Sequence, residues 1–142
     1  LTPGWTVYQK RIQYQAYDVT NMLSTGNQAL AVALGDGWFR GHIGFSGQKN
    51  FYGKEMAFLL QLEITYADGS SERVVSDESW KYSTGLVRAT DIYNGESQDA
   101  RLEPKGWTSV GYDDGKWGAV MVKNAPDAQV VATENEPVKR HE

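Results

Sequence analysis

The sequence predicts an all-β domain, a sandwich or barrel of many short strands. Three observations carry this. Apolar residues recur with a period of two, most clearly over residues 58–66, where Phe58, Leu60, Leu62, Ile64 and Tyr66 share one face. Turn signals punctuate such runs, and 15 Gly in 142 residues is a high share, as a chain of tight turns requires. No stretch shows the spacing of a long amphipathic helix.

Taken in order, residues 9–18 alternate, with Ile12, Tyr14 and Ala16 on one face and Arg11, Gln13 and Gln15 on the other. Asp18 then opens one predicted helical turn that Gly26 ends. Residues 29–34 alternate again, with Leu30, Val32 and Leu34 inward, until Gly35-Asp36-Gly37 breaks the run. Residues 45–55 read as a long loop. After strand 58–66, Ala67-Asp68-Gly69-Ser70 makes a hairpin turn, and residues 72–76 return. Short strands are expected at 79–82, 86–93, 120–122 and 129–133, with turns at 94–96 and 111–115.

Composition narrows the function. A net charge of −4 without a basic patch argues against nucleic acid. No apolar run reaches the ~20 residues that cross a bilayer. Zero Cys excludes disulfides and thiolate metal sites. His42 and His141, the only two histidines, have no metal-ligand spacing. Asp113-Asp114 and Asp77-Glu78 read as turns rather than catalytic pairs, because adjacent strand residues point to opposite faces.

The order Asp18-Val19-Thr20, Leu23, Gly26-Asn27, Leu30-Ala31-Val32 resembles an element of galactose-binding-domain-like jelly rolls. In it Asp18 caps, Leu23 plugs the core edge and Gly26 supplies a positive φ. Longer strings are more specific: Leu1-Thr2-Pro3-Gly4-Trp5-Thr6, Gly35-Asp36-Gly37-Trp38-Phe39-Arg40-Gly41, Ser76-Asp77-Glu78-Ser79-Trp80-Lys81 and Asp91-Ile92-Tyr93-Asn94-Gly95-Glu96 with Asp99-Ala100-Arg101. Together they resemble the N-terminal domain of bacterial α-L-rhamnosidases over nearly the whole chain. The resemblance implies an antiparallel jelly-roll β-sandwich over residues 1–133 that has lost an upstream strand. It implies a linker at 134–142 leading to a catalytic (α/α)-barrel domain that carries the catalytic carboxylates. It also implies export to the periplasm or cell exterior.

Two loops are candidate sites. Asp36, Trp38 and Arg40 combine a flat ring with charged groups, the mixture a sugar needs; equally, Trp38 packs the sandwich edge and Asp36 pairs with Arg40. Asn94 and Glu96 offer oxygen ligands, so Asp36 and Asn94 are candidate Ca²⁺ ligands; equally, Gly95 simply makes a turn. No cofactor is required otherwise. Trp5, Trp80, Trp107 and Trp117 read as packing residues. Arg101 with Asp99 is either a docking pair or a solvated surface pair. The expected function is a non-catalytic accessory domain of an enzyme that releases terminal α-L-rhamnose, acting as scaffold or in substrate recognition. Two alternatives stand beside it: an autonomous carbohydrate-binding module, calcium-dependent or not, and a protein–protein adhesion domain.

Overall fold

The computed structural model describes residues 4–45 and 47–134. The chain is all-β. Strands β1 (Arg11–Tyr14), β2 (His42–Ile43), β3 (Gln48–Lys49), β4 (Gln61–Thr65), β5 (Ser71–Val75), β6 (Lys81–Tyr82), β7 (Val87–Asp91), β8 (Gly95–Gln98), β9 (Gly118–Ala119) and β10 (Gln129–Ala132) follow one another. One helical turn, α1 (Gly37–Arg40), precedes β2, and 3-10 turns cover Thr20–Met22 and Ala100–Leu102.

Among the described residues the strands pair as five two-stranded ladders. Four are antiparallel: β2–β3, β4–β5, β6–β9 and β7–β8. The fifth, β1–β10, is parallel, with Arg11 opposite Gln129 and Tyr14 opposite Ala132, and so departs from the antiparallel pairing expected throughout. Parallel neighbours need a long crossover, and here nearly the whole chain supplies it.

The best-predicted hairpin forms for the predicted reason. Leu62 and Ile64 are half-buried while Gln61, Glu63 and Thr65 are exposed, as a period of two demands. Ser70 N–H donates to Asp68 Oδ1 at 2.9 Å, and Gly69 takes φ +84°, which a side chain resists. Tyr66, placed inward by the alternation, ends the strand exposed, its hydroxyl 2.6 Å from Glu72 Oε2.

Elsewhere the structure corrects the reading. Residues 29–34 form no strand, and Leu30 and Leu34 are exposed. β1 covers only part of 9–18, and Tyr14 faces solvent. Val19, not Asp18, holds the N-cap position of the Thr20–Met22 turn; Asp18 Oδ1 accepts from Thr20 N–H at 2.9 Å just before it, and Leu23 is exposed rather than a core plug. The expected 45–55 loop contains β3, and the predicted 120–122 strand lies earlier, at β9. The turn expected at 94–96 sits at 92–94, so Glu96 belongs to β8. At residues 9–18 and 29–34 the alternation is real, but a cross-strand partner, which lies far away in sequence, decides where pairing begins. The expected linker lies outside the described residues, apart from Glu134.

Little apolar surface is enclosed. Many large apolar side chains of the described residues stay exposed, Met22, Leu59 and Met121 among them. Among the described residues, Ala128 is the one buried apolar residue. Aromatic pairs pack beside the ladders: Phe58 lies edge-on to Trp80 at 5.0 Å, and Trp117 packs against Tyr112 at 5.7 Å.

Candidate functional site

Two remote segments meet at one corner. The first is α1 with its flanks. Arg40 N–H donates to the Asp36 carbonyl at 2.9 Å and Gly41 N–H to the Gly37 carbonyl at 3.2 Å, so the predicted tight loop is a helical turn. Asp36 is buried, at 5% exposure, and one carboxylate oxygen meets Arg40 Nε at 2.5 Å while the other faces Lys49 Nζ at 3.2 Å. A buried carboxylate requires such partners. Lys49 was not visible as a partner in the sequence, because β2–β3 pairing alone brings it back to α1.

The second segment is the β7–β8 turn. Asp91 ends β7 with its side chain 9% exposed. Its Oδ2 accepts from His42 N–H at 2.8 Å and lies 2.8 Å from His42 Nδ1. Its Oδ1 accepts from Tyr93 N–H at 2.9 Å, Asn94 N–H at 3.1 Å and Asn94 Nδ2 at 3.3 Å. Burial pushes the Asp91 carboxyl up. The hydrogen bonds from the His42 backbone and ring, then from the Asn94 and Tyr93 backbone, outweigh that and hold it well below the usual carboxylate range. Asn94 Nδ2 lies 3.1 Å from the same His42 Nδ1, so the imidazole sits between the Asp91 carboxylate and the Asn94 amide.

Aromatic rings reinforce the junction. Trp38 stacks on Trp5 with centroids 4.8 Å apart at 11°, and Tyr93 meets Trp38 edge-on at 6.0 Å. Trp5 Nε1 donates to the Tyr52 hydroxyl at 2.9 Å. Gly41 is required here: a Cβ would lie 2.4 Å from the Gly37 carbonyl and 3.0 Å from Asp91 Oδ2.

Thus the two candidate loops do converge, through Trp38–Tyr93 and through His42, Asp91 and Asn94. Asp36 pairs with Arg40 and with Lys49, and Arg40 also donates to the Lys54 carbonyl; neither meets Asn94 or Glu96. Glu96 lies on exposed β8 and accepts from the Gln98 side-chain amide. Among the described residues no three His, Asp or Glu side chains gather to hold a metal ion. The sequence reading missed His42 and Asp91. The Asp-x-x-Asn-Gly spacing at 91–95 signals a side-chain-capped turn, but nothing local to His42 announces a partner 49 positions away.

The other expected features resolve locally. Asp113 caps Gly115 N–H at 3.0 Å, Asp114 pairs with Lys81 at 2.7 Å, and Asp77 caps Ser79 N–H at 2.9 Å. Arg101 forks onto Asp99 at 2.8 and 2.7 Å within its own turn.

All of residues 1–142 match the family model described as the α-L-rhamnosidase N-terminal domain. The chain belongs to that family. An α-L-rhamnosidase of Streptomyces avermitilis is 46% identical over 140 residues, covering 98% of this chain and 14% of its own length. One from Alteromonas sp. is 39% identical over 142 residues, covering 99% of this chain and 15% of its own length. The rhamnosidase N-terminal domain is also similar to solved structures. The S. avermitilis α-L-rhamnosidase complexed with L-rhamnose superposes with TM-score 0.78 at 41% identity, over 93% of this chain and 13% of that one. The Aspergillus terreus enzyme superposes with TM-score 0.71 at 38% identity, over 83% and 14%. The chain therefore spans about one seventh of the relatives it matches.

Proposed function

We propose that this rhamnosidase N-terminal domain is a non-catalytic accessory domain that docks on the catalytic (α/α)-barrel domain of the same longer polypeptide. The observation that carries this is the exposure of large apolar side chains: among the described residues Met22, Leu59 and Met121 are 78–79% exposed. Contiguous exposed apolar side chains of this kind mark a surface that another domain covers. The carboxylates of the corner are committed to structural partners, Asp36 to Arg40 and Lys49, and Asp91 to His42, Tyr93 and Asn94. Glycoside hydrolysis needs two carboxyl groups free to face the scissile bond.

Hydrogen exchange tests the reading. Backbone amides of β4 and β5 should be protected in the full-length polypeptide and should exchange much faster in the isolated chain. Equal protection in both would contradict docking. Turnover of an aryl rhamnoside by the isolated chain would contradict the non-catalytic role.

A second reading, direct carbohydrate binding at the corner, is favoured by the exposure of Tyr93 and Trp5 beside Asn94. Exposed rings suit the C–H face of a sugar. Calorimetry with L-rhamnose, with and without Ca²⁺, tests it; Asn94→Ala should abolish any heat.

A further inference from the structure

Asn94 is the one asparagine of the chain that a glycine follows. The pair closes the β7–β8 turn, and both residues are exposed. Gly95 takes φ +76°, with nothing within 4 Å of the place a Cβ would occupy. No side chain therefore shields the Gly95 nitrogen, and the backbone can approach the Asn94 amide carbon closely. That amide is loosely held. Its Nδ2 meets Asp91 Oδ1 at 3.3 Å, the longest of that carboxylate's contacts, and lies 3.1 Å from His42 Nδ1.

We propose that Asn94-Gly95 is a self-modification site, at which the corner joining the two candidate loops deamidates with age. The Gly95 nitrogen bonds to Asn94 Cγ, the Cγ–Nδ2 bond breaks, and the proton of the Gly95 N–H leaves with Nδ2 as ammonia. Water then opens the cyclic imide at either carbonyl. One opening gives aspartate. The other gives isoaspartate, which adds a backbone atom between positions 94 and 95. Either product puts a carboxylate where the amide now faces Asp91 Oδ1, so a donor is lost and two like charges meet. Isoaspartate also shifts Gly95 from its register opposite Asp91. Tyr93, in the same turn, meets Trp38 edge-on, so the change reaches the α1 loop.

Timed incubation of the full-length polypeptide, followed by trypsin and mass spectrometry, tests this. Cleavage after Arg88 and Arg101 isolates residues 89–101. Amide-to-acid conversion at Asn94 should yield aspartyl and isoaspartyl forms of that peptide. It should run several-fold faster than at Asn21, Asn27 or Asn124, which are equally exposed but precede residues with side chains. Gly95→Ala should slow it. Asn94→Gln, which keeps an amide but must close a larger ring, should suppress it without depending on how the alanine variant folds. A rate no higher than at Asn21, or conversion confined to urea-unfolded protein, would overturn the site. Asn94→Asp should lower the melting temperature, and by less in an Asp91→Asn background, where the like charge is gone. An unchanged melting temperature, or an equal fall in both backgrounds, would overturn the link to Asp91.

Discussion

Asp91 accepts both the backbone N–H and the ring Nδ1 of His42, each at 2.8 Å, and so joins the β7–β8 turn to the start of β2 across 49 positions. A carboxylate this well supplied with donors ties the two candidate loops into one rigid corner.

The first prediction concerns acid. The folded Asp91 carboxyl lies below its ordinary value of 3.8, so its contribution to stability is fully present above that value and is lost as pH falls below it. Wild type and Asp91→Asn should differ by about 2 kcal/mol at neutral pH. Urea unfolding at a series of pH values should show the gap closing below about pH 4.

Gly41→Ala should destabilise by about 1–3 kcal/mol, because its Cβ meets the Gly37 carbonyl at 2.4 Å and backbone cannot give way cheaply. Gly69→Ala is the contrast. There the space is open and only φ +84° resists, costing about 1 kcal/mol. Double-variant denaturation should show the two effects adding, since the sites share no contact.

Removing the Asp36 carboxylate strands Arg40 and Lys49 beside a cavity. Asp36→Ala should cost about 1–3 kcal/mol, less than a fully buried pair because both cations are part-exposed. Replacing Arg73, whose pair with Glu63 is 62% exposed on both sides, should leave the melting temperature unchanged.

Trp38→Ala removes a stack on Trp5 and an edge contact with Tyr93. A loss of about 2 kcal/mol is expected for half-buried rings. Tryptophan emission should shift to the red as Trp5 loses its cover.

Much of the local structure was legible in the residues. The β4–β5 hairpin follows from Leu62 and Ile64 alternating with polar neighbours and from Asp68-Gly69 between the strands. The Asp36–Arg40 pair stands among the readings of its loop, but the helical turn that brings positions four apart together emerges only in the structure. Lys49 reaching Asp36 and His42 reaching Asp91 were not legible, because both depend on remote strands being brought together. Alternation at residues 29–34 misled for the same reason: without a partner strand, an extended apolar run has no ladder to join.

Sequence alone determined the all-β class, the β4–β5 hairpin with its Asp68-Gly69 turn, and the family, since each is written in short-range patterns of side-chain type and spacing. Tertiary structure decided that β1 pairs in parallel with β10, that Asp91 holds His42, and that the apolar faces stay open. These depend on which distant groups satisfy one another's hydrogen bonds and charges, a choice made only when the whole chain is assembled.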